Sequence, residues 1–417
     1  MKLRYGRTFF IGLAFMSICA FWQLYDNIIP LILKNTFGFG ETLTGTIMAL
    51  DNVLALFLLP FFGALSDRVN SRYGKRTPFI VIGTALAVIL SIMLPIADQT
   101  ENLVFFVVML GLLLIAMGTY RSPAVALMPD LTPKPLRSKA NSIINLMGTL
   151  GAVFTLIMIK LLIPKEAKPS YMPIFLAIVI FMVVCVAFLV ITIREKKLSS
   201  QIEDVGDEPE AVIKSNKGVK LAPDVKKSLL FLLASVFLWF TAYNAVTTAF
   251  SRYAEEVWGL VGGDFADCLL VATVAAALSY IPIGFLSEKL GRKKVVITGI
   301  ILLILSYSSG ALFTQYSNLL NIVFAVTGIG WAAINVNSYP MVVQMSSSGD
   351  IGKYTGFYYT FSMAAQIFTP IFSGALLENV SYRTLFPYSA VFSVLALITM
   401  LLVKHGDVIP SYKKVKE

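Results

Sequence analysis

Long apolar runs broken by short polar loops set the pattern of this chain. A helix needs about 20 apolar residues to cross a bilayer, and by that rule the runs predict twelve spans. Six fall at about 8–34, 42–65, 77–97, 102–129, 138–163 and 171–194. Six more fall at about 227–254, 264–287, 293–314, 317–345, 352–377 and 384–404. Residues 195–226, with EDVGDEPE and KSNKGVK, have no apolar period and read as a flexible cytoplasmic linker. The expected fold is an all-α integral membrane protein with two pseudo-symmetric six-helix bundles. The N-terminal bundle covers 1–195, the linker 196–226 and the C-terminal bundle 227–417.

Composition makes lipid the solvent. Hydrophobic residues are 57% of the 417 and charged residues 14%, where a soluble domain carries about 25% charged. The mean hydropathy is +0.77. The net charge of +10 does not point to nucleic acid, because the bases sit in short loops between apolar runs. Lys2, Arg4 and Arg7, then Arg68, Arg72, Lys75 and Arg76, then Lys134, Arg137 and Lys139, fall on one side of an alternating topology. Lys289, Arg292, Lys293, Lys294 and the tail lysines join them, while opposite loops carry acids such as Asp98 and Glu101. By the positive-inside rule both termini are cytoplasmic, and the cell membrane is the expected location. The opening MKLRYGR and its long apolar stretch read as a retained first span, since no small-residue cleavage site follows.

Cys19, Cys185 and Cys268 lie within apolar runs and read as buried free thiols. The single histidine, His405, ends the last run, which leaves no histidine-based catalytic or zinc site. No Walker loop, HExxH or serine elbow occurs. No enzyme activity, cofactor or metal is expected.

Residues 63–80, GALSDRVNSRYGKRTPFI, have a shorter echo, GFLSEKLGRKKVV, at 284–296. A shift of 221 carries Gly63, Leu65, Ser66 and Asp67 onto Gly284, Leu286, Ser287 and Glu288. A shift of 217 carries Pro123 onto Pro340 and Met128 onto Met345. Parallel repeats at half the chain length predict two bundles related by an axis along the membrane normal. The expected cytoplasmic gate comprises Gly63, Asp67, Arg68, Arg72, Gly74, Lys75 and Arg76, with Gly284, Glu288, Gly291 and Arg292. Asp67 there caps a neighbouring helix N-terminus or pairs with a base; a solvated charged turn is the plainer reading.

A charge near the bilayer centre costs at least about 2.5–3.5 kcal/mol, so each needs a reason. Asp26 in the first span, Asp51 in the second and Arg121 in the fourth are such charges. They either lock helices together as an ion-pair network or line a cavity that binds protons and substrate. A carboxyl group taken out of water can exchange a proton near neutral pH, which makes Asp26 and Asp51 the candidates for proton coupling. Gln23, Asn27, Asn52, Tyr243, Asn244, Trp331, Asn335, Asn337, Tyr358 and Gln366 add amides and aromatics inside the spans. Such groups suit the faces and hydroxyls of a sugar, or else bond helix to helix.

GALSDR and GFLSEKLGRKK resemble the loop motif of the major facilitator superfamily. The longer first copy, SDRVNSRYGKRTPFI, resembles the glycoside–pentoside–hexuronide cation symporters, and especially the sucrose–proton symporters of plants and their animal relatives. In sodium-coupled melibiose carriers, second-span acids fall at positions matching Ala55 and Leu59, and a sugar-binding aspartate falls on Arg121. The sodium site is therefore missing, as is the eleventh-span lysine of those carriers. The resemblance implies proton coupling, a glycoside substrate and Arg121 as a substrate or coupling residue. The resulting expectation is a proton-coupled sugar symporter in the lipid bilayer, a monomer by default. Its alternatives are carriage of another small organic solute, inward or outward, and a non-transporting sensor.

Overall fold

The computed structural model describes residues 4–132, 137–166, 169–203, 223–345 and 351–407. Helices follow the apolar runs closely: α1 Tyr5–Asn35, α2 Glu41–Arg68, α3 Thr77–Gln99, α4 Leu103–Asp130, α5 Arg137–Leu162 and α6 Met172–Thr192. A short α7, Glu195–Glu203, precedes α8 Pro223–Trp258, α9 Ala266–Leu290, α10 Arg292–Gly310, α11 Leu320–Gln344, α12 Ile351–Asn379 and α13 Leu385–Leu401. All but α7 are long and apolar enough to span a membrane, twelve in total among the described residues. Backbone polar groups in lipid must be paired within the segment, and helices do that. The 195–226 stretch is thus helical at both ends, and residues 204–222 lie outside the described residues.

The chain divides into two compact units. Unit 1 comprises Met1–Phe39, Leu50–Glu208 and Val261–Ala266. Unit 2 comprises Gly40–Ala49, Pro209–Leu260 and Asp267–Glu417. In unit 1, α1 packs on α5 and α6, and α3 on α4 and α6. In unit 2, α8 packs on α12 and α13, and α10 on α11 and α13. Those four pairings are the same four once the helices are matched in order, which is the packing expected of a duplicated bundle.

Close approach comes from small residues. A Cβ on Gly12 or Gly148 would press on Met147 or Phe15, and one on Gly151 would strike the Met16 carbonyl, so α1 and α5 meet at their backbones. Gly299 and Gly330 do the same for α10 and α11. Asp98 is not a loop acid: it closes α3, is buried, and accepts a 2.5 Å hydrogen bond from Thr36 Oγ1. The three cysteines are free; Cys185 and Cys268 are buried and Cys19 is partly exposed.

Candidate functional site

The intramembrane charges of α1, α2 and α4 come together in unit 1. Asp26 lies within electrostatic reach of Asp51 and Arg121, and Asp51 within reach of Arg121. The Arg121 guanidinium sits 5.2 Å from the centroid of the Trp22 ring, a cation–π contact. Asn52 Nδ2 donates to Asp51 Oδ1 at 2.6 Å, fixing that carboxylate. Trp22, Asp51, Ala55, Leu58, Leu59, Leu114, Gly118 and Arg121 line a narrow cavity with about 10 Å³ of free space, enough for about one water. Buried within α1, Trp22 Nε1, Tyr25 Oη and Asn27 Oδ1 have no hydrogen-bond partner among the described residues. Polar groups left open in this way are available to a ligand or water.

In unit 2, aromatics of α8, α11 and α12 gather together. Tyr243 of α8 stacks on Trp331 of α11 at 3.8 Å and 6°, and Phe240 meets Trp331 edge-on at 5.2 Å. Tyr358 adjoins Phe240 and shares a 3.0 Å hydrogen bond with Ser338. Asn244 Nδ2 is buried and has no hydrogen-bond partner among the described residues.

Three of the amides each place one N–H on their own helix. Asn27 Nδ2 donates to the Gln23 carbonyl, Asn337 Nδ2 to the Ala333 carbonyl and Gln366 Nε2 to the Ser362 carbonyl, each one turn back on its own helix. Gln23 is half-buried, and Asn335 is exposed, away from the buried Asn337.

Trp22 was passed over in the sequence, although a signal was present. The 217-residue shift that aligns α4 with α11 also carries WQLYDN onto WFTAYN, Trp22 onto Trp239 and Asn27 onto Asn244. It carries Asp26 onto Tyr243, Arg121 onto Ser338 and Leu114 onto Trp331. The repeat therefore keeps a shared frame and places charge in one half, stacked rings in the other.

The loop after α2 closes around Arg76, which is 5% exposed. Its guanidinium donates to Asp67, to Ser66, to the Gly63 carbonyl at 3.3 Å and to Asp130 Oδ2 at 2.8 Å. Lys75 adds a 3.3 Å ion pair to Asp130. Arg72 stacks on Tyr73, and Arg68 is exposed. Asp67 thus pairs with a base and caps nothing; the cap on α3 is Glu195. That buried carboxylate accepts from the backbone N–H of Lys75, Arg76 and Thr77 at 2.8, 2.9 and 2.8 Å, and from Thr77 Oγ1 at 2.7 Å. Gly74, at φ +116°, leaves room for it where a Cβ would collide.

The second copy keeps the cap and drops the ion pair. Asp407, just after α13, accepts from Lys293 N at 3.1 Å beside Gly291, which has φ +92°. Glu288 is exposed, and Arg292 donates to Gln344 at 2.8 Å. Gly74 maps onto Gly291 at the 217 shift and Asp67 onto Glu288 at 221, so the first loop is four residues longer. Those four residues carry Arg76 back to Asp67. Its counterpart Lys293 reaches only the carbonyls of Leu401 and Val403, at 3.1 and 2.6 Å.

Glu195→Ala strips the acceptors from three N–H groups at the start of α3. Thermal unfolding in detergent is expected to show a loss of about 1–3 kcal/mol. An unchanged melting curve would assign the cap no structural weight.

The family model of the Major Facilitator Superfamily matches residues 11–273 and 265–416. An uncharacterized MFS-type transporter of Methanocaldococcus jannaschii is 24% identical over 388 residues, 91% of this chain and 90% of that protein. The similarity to sucrose carriers has a counterpart in a sucrose transport protein of Arabidopsis thaliana. It is 27% identical over 151 residues, spanning 32% of this chain and 25% of that one. Among solved structures, the inward-open xylose transporter of E. coli superposes with a TM-score of 0.70 at 14% identity, over 96% of both chains. Family and fold are those of transporters and not of enzymes: the chain belongs to the Major Facilitator Superfamily, as a multi-pass membrane carrier of a small solute.

Proposed function

We propose that the protein is a proton-coupled symporter of a sugar or glycoside that works by alternating access. The observation that carries this reading is the cluster of Asp26, Asp51 and Arg121 inside the spans of unit 1, beside Trp22 and a narrow cavity. Two carboxylates facing one guanidinium can take up a proton and change the charge presented to a ligand. Protonation of the Asp26 carboxyl leaves Arg121 with Asp51 as its counter-charge and frees guanidinium N–H donors for solute hydroxyls. The stacked Tyr243–Trp331 pair and the open Asn244 amide of unit 2 supply the ring face and the donor that a sugar uses. The sucrose and xylose carriers among the similar proteins support the solute class. Six spans in 1–195 and six in 227–417, joined through 196–226, are the moving halves. The carrier lies in the cell membrane with both termini in the cytoplasm, and works as a monomer.

A second reading rests on the leucines. Ala55, Leu58, Leu59 and Leu114 share the cavity wall with the charges, which suits an amphipathic organic solute carried in either direction.

The experiment is uptake of labelled glycosides into proteoliposomes, with and without an imposed pH gradient. Uptake that rises several-fold with the gradient is the expected result. Absent or gradient-independent uptake across the panel would overturn the symporter reading. Competition by amphipathic organic solutes but not glycosides would favour the second.

A further inference from the structure

Tyr25 of α1 is 1% exposed, and its hydroxyl has no hydrogen-bond partner among the described residues. The ring is held from two sides. It stacks on Phe21 at 6.2 Å and meets Trp22 edge-on at 5.2 Å, and Trp22 in turn carries the Arg121 guanidinium. Two carboxylates lie within electrostatic reach of the hydroxyl, and Asp51 acts on it more strongly than Asp26. A buried donor without an acceptor is costly, so an uncommitted hydroxyl beside two carboxylates needs a reason. The repeat supplies one. The 217 shift that carries Trp22 onto Trp239 and Asn27 onto Asn244 carries Tyr25 onto Ala242 and Asp26 onto Tyr243. The hydroxyl stands only in the copy that has the Asp26 charge.

The two carboxylates are supplied with donors unequally. Asp51 Oδ1 accepts from Asn52 Nδ2 at 2.6 Å, and Asp51 lines the cavity together with Arg121. Asp26 makes no hydrogen bond and no ion pair through its side chain among the described residues, and it is not part of that cavity wall. Its own turn is short of donors too, since Pro30 has no N–H to give the Asp26 carbonyl. Two carboxylates close together in a dry site do not both ionise readily. One proton then belongs to the pair, and the placing of donors selects the group that holds it.

We infer that Tyr25 is a positioning residue that seats the coupling proton on Asp26, its hydroxyl donating to Asp51 and keeping that group ionised. The inference rests on the proton-coupling reading and adds a division of labour to it. Asp51, held by Asn52 and Tyr25, is the fixed counter-charge of Arg121 at the cavity. Asp26 gains and loses the proton on its own carboxyl oxygen. Tyr25 gives up no proton at any point; it only donates a hydrogen bond. A hydrogen bond to a charged acceptor is the strong kind, which is what lets a neutral hydroxyl choose between two like groups.

The test is an infrared titration of the full-length protein in lipid, following the protonated-carboxyl stretch with pH and with no solute present. Asp26→Asn and Asp51→Asn assign the bands. In the parent the titrating band is expected to vanish in Asp26→Asn and to persist in Asp51→Asn. Tyr25→Phe keeps the ring against Phe21 and Trp22 and removes only the hydroxyl. It should bring up a second band, one that Asp51→Asn removes, and raise the share of the proton on Asp51 at least about tenfold. Asn52→Ala, which takes away the other donor, should move the share the same way. An Asp26 band indifferent to Tyr25→Phe would overturn the inference alone, and so would a parent band lost in Asp51→Asn and kept in Asp26→Asn. No titrating band from either aspartate would overturn the coupling reading with it. Gradient-independent uptake beside the expected bands would overturn the coupling reading and leave the seat of the proton standing.

Discussion

Asp26→Asn is expected to reduce the solute accumulation ratio to about one while downhill exchange continues. Asparagine keeps the size of the aspartate and its place against Asp51 and Arg121, but it cannot ionise. If the Asp26 carboxyl carries the driving proton, the variant still changes conformation around its solute and has lost only its connection to the gradient. Counterflow and gradient-driven uptake, measured on one proteoliposome preparation, separate the two. Accumulation that survives in Asp26→Asn and falls in Asp51→Asn would move the coupling proton to Asp51. Survival in both would leave the cluster as an internal ion-pair network.

The second large effect is structural. Arg76→Gln removes the one cation that Asp67 and Asp130 share with Ser66 and the Gly63 carbonyl. Breaking a buried pair from one side costs about 3–5 kcal/mol, because the partner keeps its charge and loses its compensation. Asp67 is largely exposed and recovers water, so the loss falls on Asp130, with 22% of its side chain exposed, and on Ser66, which is buried. Thermal unfolding in detergent should show the drop, and Arg76→Lys should regain only part of it, since an ammonium cannot match the planar fork. A variant as stable as the parent would mean that Lys75, already 3.3 Å from Asp130, takes over the site.

Much of this was readable one residue at a time. Twelve spans follow from the length of apolar runs, because each must satisfy its own backbone in lipid. The charges at 26, 51 and 121 stand out against their neighbours for the same reason. Trp22 does not, since an aromatic in an apolar run looks like any other. Only matching α1 to α8 at the shift that already related α4 to α11 would have raised it. Glu195 and Asp407 were also silent. An acid just past a span reads as the start of a loop, and nothing local marks it as the cap of a helix more than a hundred residues earlier.

The amides show what composition leaves out. Asn27, Asn337 and Gln366 are expected to bind substrate, and each also donates one N–H to the preceding turn of its own helix. An amide's partner depends on its rotamer and on the space around it, and composition carries neither.

The sequence by itself determined the solvent of this protein, its twelve spans, its duplication and the positions of three costly charges, Asp26, Asp51 and Arg121. Those are properties of single helices and of their repetition, set by hydrophobicity and spacing. Tertiary structure alone decided which charges meet, and that Arg76 and not a helix end receives Asp67. Each of those depends on side chains far apart in the chain reaching one dry place together, and the strength of a pair is set by that dryness.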